Sequence, residues 1–265
     1  CHADIIGFST YIWNVDIIRR LIHDIRMIEG KMVMIWAGGP EATYYPESFL
    51  GDGGADICMT GEGEEVFTQL LRRLAYGMPC KDPGIKGLAY MNCHDDNDMI
   101  KEGSGSCRFV STGPADPADI SRIPFLYDDL SLFSNRIIYY ESSRGCPFSC
   151  AYCLSGRERG VRYRDIDTVI KELTFFLDNN VRQVKFVDRT FNSDPSFAMR
   201  IWKFIIEHDN GITNFHFEIE GDRITDEELD LLTDMRPGLI QMEIGVQSVN
   251  RDTLRSVHRN PDIKR

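Results

Sequence analysis

The amino-acid sequence predicts an α/β protein in which parallel strands alternate with helices. Residues 3–77 and 135–248 each alternate short β-branched or aromatic runs with longer runs of helical apolar spacing. This order of elements is typical of a parallel sheet wound with helices. At 265 residues the chain is long enough for two domains of ordinary size. We therefore predict an N-terminal domain over 1–80, a linker with a small hairpin over 81–134, and a second α/β domain over 135–265.

The first segment has the strand and helix order of a Rossmann-like sheet. The predicted strands are 3–12, 31–39 and 55–64, and the predicted helices are 15–29 and 64–77. Polar or glycine-rich turns follow all three strands, where backbone and helix N-termini can approach a flat or phosphate-bearing ligand. The candidate ligand-binding residues of these turns are Ser9, Thr10, Tyr11, Gly38, Gly39, Pro40, Gly61, Glu62 and Gly63. The alternative is that each turn is only a tight loop.

The second segment repeats the alternation. The predicted strands are 137–145, 183–191, 214–222 and 239–248, and the predicted helices are 166–178, 194–207 and 226–235. Asp194 is a predicted N-cap, and Thr225 with Glu228 forms a predicted capping box. Polar residues follow successive strands, and sites in parallel sheets lie at the carboxyl ends of strands. The pattern predicts part of a barrel or an open α/β sheet.

Composition and charge narrow the function classes. The formal net charge of −11 argues against a general nucleic-acid or anionic-membrane surface. No apolar run approaches the roughly 18 residues that span a bilayer. Cysteines in the first half of the chain lack the spacing of a disulfide framework, which predicts reduced thiols in a cytoplasmic protein. These cysteines are Cys1, Cys58, Cys80, Cys93 and Cys107.

The two ends of the chain predict a fragment of a longer protein. The sequence begins with Cys-His rather than Met and ends on Asp-Ile-Lys-Arg. We therefore expect an incomplete N-terminal sheet and a second domain that stops after about four strands.

The strongest chemical signal is the run RGCPFSCAYCLSG, which places Cys146, Cys150 and Cys153 within eight positions. Thiolates are soft ligands that favour iron–sulfur clusters, zinc or copper(I). A cubic four-iron cluster held by three thiolates leaves one iron without a protein ligand. The alternatives are structural zinc completed by His208 or His216, and inert buried cysteines.

RGCPFSCAYC resembles the cluster loop of the radical S-adenosylmethionine (radical SAM) superfamily, with Tyr152 at its aromatic position. The resemblance continues through VKFVDRTFN, FHFEIEGDRITDEEL and EIGVQS, and it covers about residues 135–265. It implies a partial radical SAM (β/α) barrel and an anaerobic enzyme. It also implies that Cys146, Cys150 and Cys153 ligate a four-iron four-sulfur (4Fe-4S) cluster. A flavodoxin or ferredoxin would reduce the cluster, which then cleaves S-adenosylmethionine to methionine and a 5′-deoxyadenosyl radical.

The resemblance also implies a set of contacts to S-adenosylmethionine at the strand ends. The implied residues are Tyr152, Asp188, Thr190, Glu218, Glu220, Gln247 and Ser248. The family's glycine-glycine-glutamate-like motif is replaced here by Asp188-Arg189-Thr190-Phe191. The alternative for each residue is a structural or solvated polar side chain.

GFSTYIWN, AGGPEATYYPE and TGEGEEVF together resemble the cobalamin-binding domain that precedes many radical SAM domains, over about residues 1–80. The sequence contains no D-x-H-x-x-G motif. Cobalamin would then bind without a histidine axial ligand, or the motif lies upstream. The alternative is a degenerate domain that no longer binds cobalamin.

These resemblances imply a cobalamin-dependent methyl transfer to an unknown substrate. A second enzyme hypothesis is a methylthiotransferase-like protein, which would need a further cluster held by cysteines such as Cys58, Cys80, Cys93 and Cys107. A non-enzymatic cobalamin or redox sensor is the third hypothesis.

Overall fold

The computed structural model describes residues 3–51, 53–93, 107–133, 135–157, 160–233 and 235–259. The chain divides into two compact units, Cys1–Ala118 and Asp119–Arg265, which we call the first and the second unit. The α/β fold with parallel-strand sheets is confirmed in both units. Across these described ranges, no helix has the length and apolar character that a membrane crossing requires.

Within the described residues, a five-stranded sheet forms the first unit. Its spatial order is β1 (Ile5–Ser9), β2 (Met34–Gly38), β3 (Ile57–Met59), β4 (Leu88–Cys93) and β5 (Cys107–Ser111). β1, β2 and β3 run parallel, and β4 and β5 continue the sheet as an antiparallel hairpin. The helices are α1 (Val15–Glu29), α2 (Pro40–Tyr44) and α3 (Glu64–Ala75). The register pairs Ser9 with Gly38, so the first two strands end level with each other.

Alternation along the strands places apolar side chains on both faces of this sheet. Ile35 and Ala37 lie in one core with Ile18 and Ile22 of α1. Trp36 lies in the other core with residues of α3. Both faces are therefore covered by helices, as the near-continuous apolar strands predict for a parallel sheet.

Cys93 and Cys107 form a disulfide, and the expectation of reduced thiols is wrong for this pair. The two residues face each other in the β4–β5 register, at the end of the hairpin where the connecting segment leaves β4 and enters β5. Register brings them together across 14 positions of sequence, a relationship that spacing alone does not disclose. Cys58 and Cys80 are free and buried. Cys1 lies outside the described residues.

Over the described ranges, a parallel four-stranded sheet forms the second unit. Its spatial order is β11 (Ile240–Ile244), β10 (Asn214–Ile219), β9 (Gln183–Phe186) and β6 (Ile138–Tyr140). A separate antiparallel ribbon joins β7 (Ser143–Cys146) to β8 (Gly160–Tyr163). The helices are α4 (Ile166–Asp178), α5 (Pro195–Glu207), α6 (Asp226–Thr233) and α7 (Arg251–Ser256).

One face of this sheet forms the core with the helices. Val184, Phe186, Phe215 and Phe217 belong to a cluster that includes Trp202 of α5 and residues of α4 and α6. Aromatic rings make close contacts there; the ring centroids of Phe186 and Phe217 lie 4.4 Å apart. By period-two alternation the intervening residues of β9, β10 and β11 face the other way.

The predicted helix caps are confirmed. Asp194 accepts hydrogen bonds from the backbone N–H groups of Ser196 and Phe197 at the start of α5. Thr225 and Glu228 exchange the two bonds of a capping box at 2.7 and 3.1 Å.

The predicted strand 137–145 is two strands in the structure. β6 ends at Tyr140, and the chain then bends away into β7. Ser142 and Ser143 hydrogen-bond to Asp188, which follows β9. Gly145 has a φ of 103°, and a Cβ there would collide with the carbonyl oxygen of Gly160. These contacts redirect the chain, so the cysteine loop lies beyond the carboxyl ends of the sheet.

Candidate functional site

A cavity of about 220 Å³ contains the three closely spaced cysteines. Cys146, Cys150 and Cys153 all line it, together with residues that follow β9, β10 and β11. A larger cleft of about 450 Å³ lies at the amino ends of β6 and β9. None of the three cysteines lines that cleft, so the smaller cavity is the candidate site.

The cysteine loop is fixed at both ends. Cys146 ends β7, and its Sγ lies 3.4 Å from Oγ1 of Thr190. The backbone N–H of Cys153 donates to the carbonyl of Cys150 at 3.0 Å, which forms a tight turn. The N–H of Ala151 donates to the carbonyl of Val257 just after α7, at 2.9 Å. Cys146 and Cys150 are buried, and Cys153 is half-buried.

The thiols are not arranged as ligands of one metal ion. Within the described part of the chain, no group of three or more His, Cys, Asp or Glu side chains converges as the ligands of a single ion do. A four-iron cluster makes a different demand, because each thiolate binds a different iron. Three thiols lining one cavity provide the soft donor set that such a cluster takes.

Five of the seven residues implied as S-adenosylmethionine contacts line the cavity with the thiols. They are Tyr152, Thr190, Glu218, Glu220 and Gln247. Gln247 has a φ of 61°. A Cβ on Gly245 would lie 2.6 Å from Nε2 of Gln247, so glycine there makes room for this amide.

Asp188 and Ser248 are not among the lining residues. Asp188 is fully buried under the bend before the cysteine loop, and its Oδ1 accepts from the hydroxyls of Ser142 and Ser143 at 2.6 and 2.5 Å. Burial raises the pKa of Asp188 to about 6, while these hydrogen bonds lower it. Ser248 accepts from the backbone N–H of Asn250 at 3.1 Å, in the turn before α7. Both side chains therefore shape the loops around the cavity.

Arg259 is the main residue of the site that sequence reasoning missed. Its Nη2 lies 2.8 and 2.6 Å from the two carboxylate oxygens of Glu220 and 2.6 Å from the carbonyl of Gly245. Its Nη1 donates to the Tyr152 hydroxyl at 3.2 Å. Burial raises the pKa of Glu220, and the charge of Arg259 partly offsets that shift. Arg189 and Glu243 also line the cavity and were not predicted.

The predicted turns of the first unit meet at the carboxyl edge of its sheet. Thr10 is fully buried; its Oγ1 donates to the carbonyl of Gly38 at 2.7 Å and accepts from the N–H of Ala42 at 3.0 Å. Gly39 has a φ of 94°, and a Cβ there would lie 2.7 Å from the carbonyl oxygen of Thr10. Pro40 begins α2. These contacts join the ends of β1 and β2.

The remaining turn residues surround the same edge. The N–H of Gly61 donates to Oγ1 of Thr43 at 3.0 Å, and Oε2 of Glu62 accepts from the N–H of Ala118 at 2.9 Å. Gly63 is the N-cap residue of α3. The carbonyl of Ser9 accepts from the Asn14 side chain. The ring of Tyr11 stacks on Trp13 with centroids 4.5 Å apart.

Comparison with known proteins assigns a family to each unit. Residues 140–265 match the model of the Radical SAM superfamily, and residues 2–71 match the model of the B12 binding domain. An uncharacterized methyltransferase of Pyrococcus horikoshii is 30% identical over 181 residues, which are 64% of this chain and 36% of that protein. The chain thus spans about a third of the length of that relative.

Solved structures share the fold. The cobalamin-dependent S-adenosylmethionine radical enzyme OxsB, with aqua-cobalamin and S-adenosylmethionine bound, superposes with a TM-score of 0.72 at 20% identity, over 96% of this chain and 37% of that chain. The radical S-adenosylmethionine methyltransferase TsrM of Kitasatospora setae, with tryptophan and an S-adenosylmethionine analogue bound, gives 0.67 at 17% identity, over 95% and 50%. The resemblance inferred from the cysteine loop and the strand-end turns is confirmed, and the chain contains a radical SAM domain over residues 140–265 that follows a B12 binding domain over residues 2–71.

Proposed function

We propose that this chain carries the S-adenosylmethionine-cleaving centre of a cobalamin-dependent radical SAM methyltransferase. The observation that carries the proposal is one cavity in which Cys146, Cys150 and Cys153 meet Glu220 and Arg259. Soft thiols and a carboxylate–guanidinium pair suit the two parts of such a centre, the cluster and a zwitterionic amino-acid ligand. The methyltransferase named among the relatives of this chain supports the reaction class.

The three thiols fit a 4Fe-4S cluster. They line one cavity, and Thr190 provides a hydroxyl 3.4 Å from Sγ of Cys146. When bound and reduced by a flavodoxin or ferredoxin, such a cluster supplies the electron that cleaves S-adenosylmethionine to methionine and a 5′-deoxyadenosyl radical. Asp188 holds Ser142 and Ser143, and so fixes the direction in which the loop leaves β6.

The polar residues of the cavity suit the groups of S-adenosylmethionine. Arg259 supplies a guanidinium, for which the methionine carboxylate is a natural partner. Glu218 and Glu220 supply carboxylates that accept from the methionine ammonium group or from ribose hydroxyls. Tyr152 places a half-exposed ring beside the cavity, where an adenine can stack. Gln247 adds an amide that both donates and accepts.

The edge of the first sheet fits a cobalamin. Thr10 and Gly39 join the ends of β1 and β2 so closely that a side chain at position 39 would collide with the backbone of Thr10. Backbone therefore forms the surface of this edge, as binding of a large flat ligand requires. When bound, cobalamin supplies a carrier for the methyl group that the substrate receives.

The methylthiotransferase and sensor hypotheses have less support. A second cluster in the first unit would need grouped cysteines, but Cys93 and Cys107 are bonded to each other. Cys58 and Cys80 belong to separate cores on opposite faces of the sheet. A sensor requires no turnover of S-adenosylmethionine, which the experiment below measures directly.

The test is anaerobic reconstitution of the full-length protein with iron and sulfide. We expect stoichiometric iron loading and, after reduction, release of 5′-deoxyadenosine from S-adenosylmethionine. Cys150→Ala should lose both, whereas Cys80→Ala, which changes a buried thiol outside the cavity, should keep both. A loaded and reduced protein that releases no 5′-deoxyadenosine would refute the proposal. Cobalamin retained on purification tests the first unit separately.

A further inference from the structure

The hydroxyl of Thr190 lies against the first of the three thiols. Its Oγ1 is 3.4 Å from Sγ of Cys146, within hydrogen-bond distance for sulfur. Thr190 follows β9 and Cys146 ends β7, so the contact joins the cysteine loop to the carboxyl edge of the sheet. Both residues are buried, with 5% and 9% of their surface exposed. The contact is therefore shielded from bulk water, where a hydrogen bond would be electrostatically weaker.

Cys146 differs in this contact from the other two thiols. Over the described ranges of the chain, Thr190 hydrogen-bonds to Sγ of Cys146, and no side chain makes such a bond to Sγ of Cys150 or Cys153. The three prospective cluster ligands are therefore chemically unequal. Hydrogen bonds to the sulfurs are among the factors that set the reduction potential of an iron–sulfur cluster.

Cluster binding fixes the direction of this hydrogen bond. A cysteine that ligates iron is a thiolate, so its sulfur has no proton to donate and can only accept. The Thr190 hydroxyl carries one proton, and its other acceptor is the carbonyl of Arg189, 2.8 Å away. Hydrogen bonds to ionised acceptors are roughly twice as strong as neutral ones. Donation to the thiolate is therefore favoured once the cluster is bound.

A hydrogen bond to Cys146 favours the reduced cluster over the oxidised one. One-electron reduction adds a negative charge that the iron core shares with its thiolate ligands. The attraction between the hydroxyl proton and the sulfur increases with that charge, so the reduction potential rises. In this step the flavodoxin or ferredoxin loses one electron and the cluster gains it, while the hydroxyl proton stays on Oγ1 of Thr190.

We propose that the Thr190 hydroxyl donates a hydrogen bond to the cluster thiolate of Cys146 and thereby raises the reduction potential of the 4Fe-4S cluster. The inference rests on the proposed function, because it takes the three thiols as cluster ligands. Thr190 acts through Cys146, so it is a positioning residue and not a catalytic one. The competing role is a contact to S-adenosylmethionine. However, only 5% of Thr190 is exposed, and its hydroxyl has two partners within the chain, which leaves little of it for the cofactor.

The test compares the reduction potentials of the reconstituted full-length protein and of Thr190→Val, which keeps the shape of the side chain and removes the hydroxyl. Both are measured anaerobically by redox titration followed by EPR, without S-adenosylmethionine. We expect Thr190→Val to have the lower potential, by a roughly tenfold change in the reduction equilibrium, which is about 59 mV for a one-electron couple. Equal potentials would overturn the inference.

Three further variants assign the shift to the hydroxyl. Thr190→Ser retains the hydroxyl and should retain the wild-type potential. Thr190→Ala is a second variant without a hydroxyl, so the comparison stands even if Thr190→Val takes up no cluster. Thr174→Val removes an exposed hydroxyl on α4 that donates to the carbonyl of Ile170, and it should leave the potential unchanged. A potential of Thr190→Ser as low as that of the variants without a hydroxyl would contradict the inference.

Pulsed EPR of the reduced cluster after exchange into D2O tests where the hydroxyl proton points. Wild type and Thr190→Ser should show a hydroxyl deuteron coupled to the cluster, and the coupling should be missing in Thr190→Val. If Thr190 instead contacts S-adenosylmethionine, Thr190→Val should weaken binding of this cofactor by roughly tenfold, with the potential and the coupling unchanged. That pattern would refute the inference.

Failure of this inference is distinguishable from failure of the proposed function. Iron content and release of 5′-deoxyadenosine by the wild type test the cluster without reference to Thr190. If the wild type passes both measurements but Thr190→Val has the same potential, only the inference about Thr190 is refuted. A wild type that binds no cluster refutes both.

Discussion

Nη2 of Arg259 lies 2.6 Å from Oε2 and 2.8 Å from Oε1 of Glu220, inside the cavity that the three thiols line. Both side chains are largely buried, with 12% and 13% of their surface exposed. The pair joins the end of β10 to the segment after α7, and the contact of Arg259 with Tyr152 extends it to the cysteine loop.

Arg259→Ala should lower both stability and cofactor affinity. It leaves the carboxylate of Glu220 buried without its cation, which should lower the free energy of unfolding by about 3 kcal/mol. Binding of S-adenosylmethionine should weaken by roughly tenfold, because a charged hydrogen bond is lost. Denaturant titration and calorimetry measure the two effects.

The double variant Arg259→Ala, Glu220→Gln separates the effect on stability from the effect on S-adenosylmethionine affinity. Without a buried charge on Glu220 it should recover part of the lost stability, but it should not recover the affinity. If the single variant Arg259→Ala bound S-adenosylmethionine as tightly as wild type, Arg259 would stabilise the cysteine loop without contributing to cofactor binding.

Asp188 should make the stability of the second unit depend on pH. Burial raises its folded-state pKa from 3.8 to about 6, so the folded protein binds this proton more tightly than the unfolded chain does. The stability it contributes is full below pH 3.8 and is lost as the pH rises to about 6. The loss is on the order of 3 kcal/mol.

Asp188→Asn cannot titrate, so this part of the pH dependence should vanish. The difference in unfolding free energy between wild type and Asp188→Asn, measured by urea titration, should shift in favour of the variant as the pH rises through this window. Asp167→Asn, which changes a side chain that is 87% exposed, is the control. A difference that stays constant with pH would contradict the prediction.

Residues that follow parallel strands were predictable as neighbours because such strands end at one edge of a sheet. Thr190, Glu220 and Gln247 line the thiol cavity for this reason. Strand alternation and helix caps depend only on residues close in sequence, so they were predictable too. Asp194 and Thr225 cap their helices as predicted.

Other features depended on information that no local pattern carries. Arg259 is 39 residues from Glu220 and 107 from Tyr152, and only packing of the segment after α7 against the loop brings them together. Asp188 accepts three hydrogen bonds from Ser142 and Ser143 under the bend before the loop. These residues meet only because the chain bends after β6, and no local pattern in the sequence predicts that bend. The Cys93–Cys107 bond depends on hairpin register.

The Cys93–Cys107 disulfide should stabilise the first unit. It closes a loop of 14 positions, and the chain-entropy model gives about 3 kcal/mol for a loop of this size. The double variant Cys93→Ser, Cys107→Ser should lose this stability in denaturant titrations, and a reductant should produce the same loss in wild type. Reductant should have no further effect on the double variant. If reductant left the unfolding free energy of the wild type unchanged, either the disulfide would be absent or it would not stabilise the first unit.

Gly39→Ala should disrupt the edge of the first sheet. The backbone at Gly39 has a φ of 94°, and a Cβ there would lie 2.7 Å from the carbonyl oxygen and 2.9 Å from the nitrogen of Thr10. To avoid this clash, the ends of β1 and β2 would have to separate, which should lower the free energy of unfolding by about 1–3 kcal/mol. Gly7→Ala is the matched control, because a Cβ at that strand position meets no atom within 4 Å. Denaturant titration should show a loss for Gly39→Ala alone, and cobalamin retention on the full-length protein should fall with it. Equal stability and equal cobalamin content in the two variants would mean that this edge neither needs the close approach nor takes part in the cobalamin site.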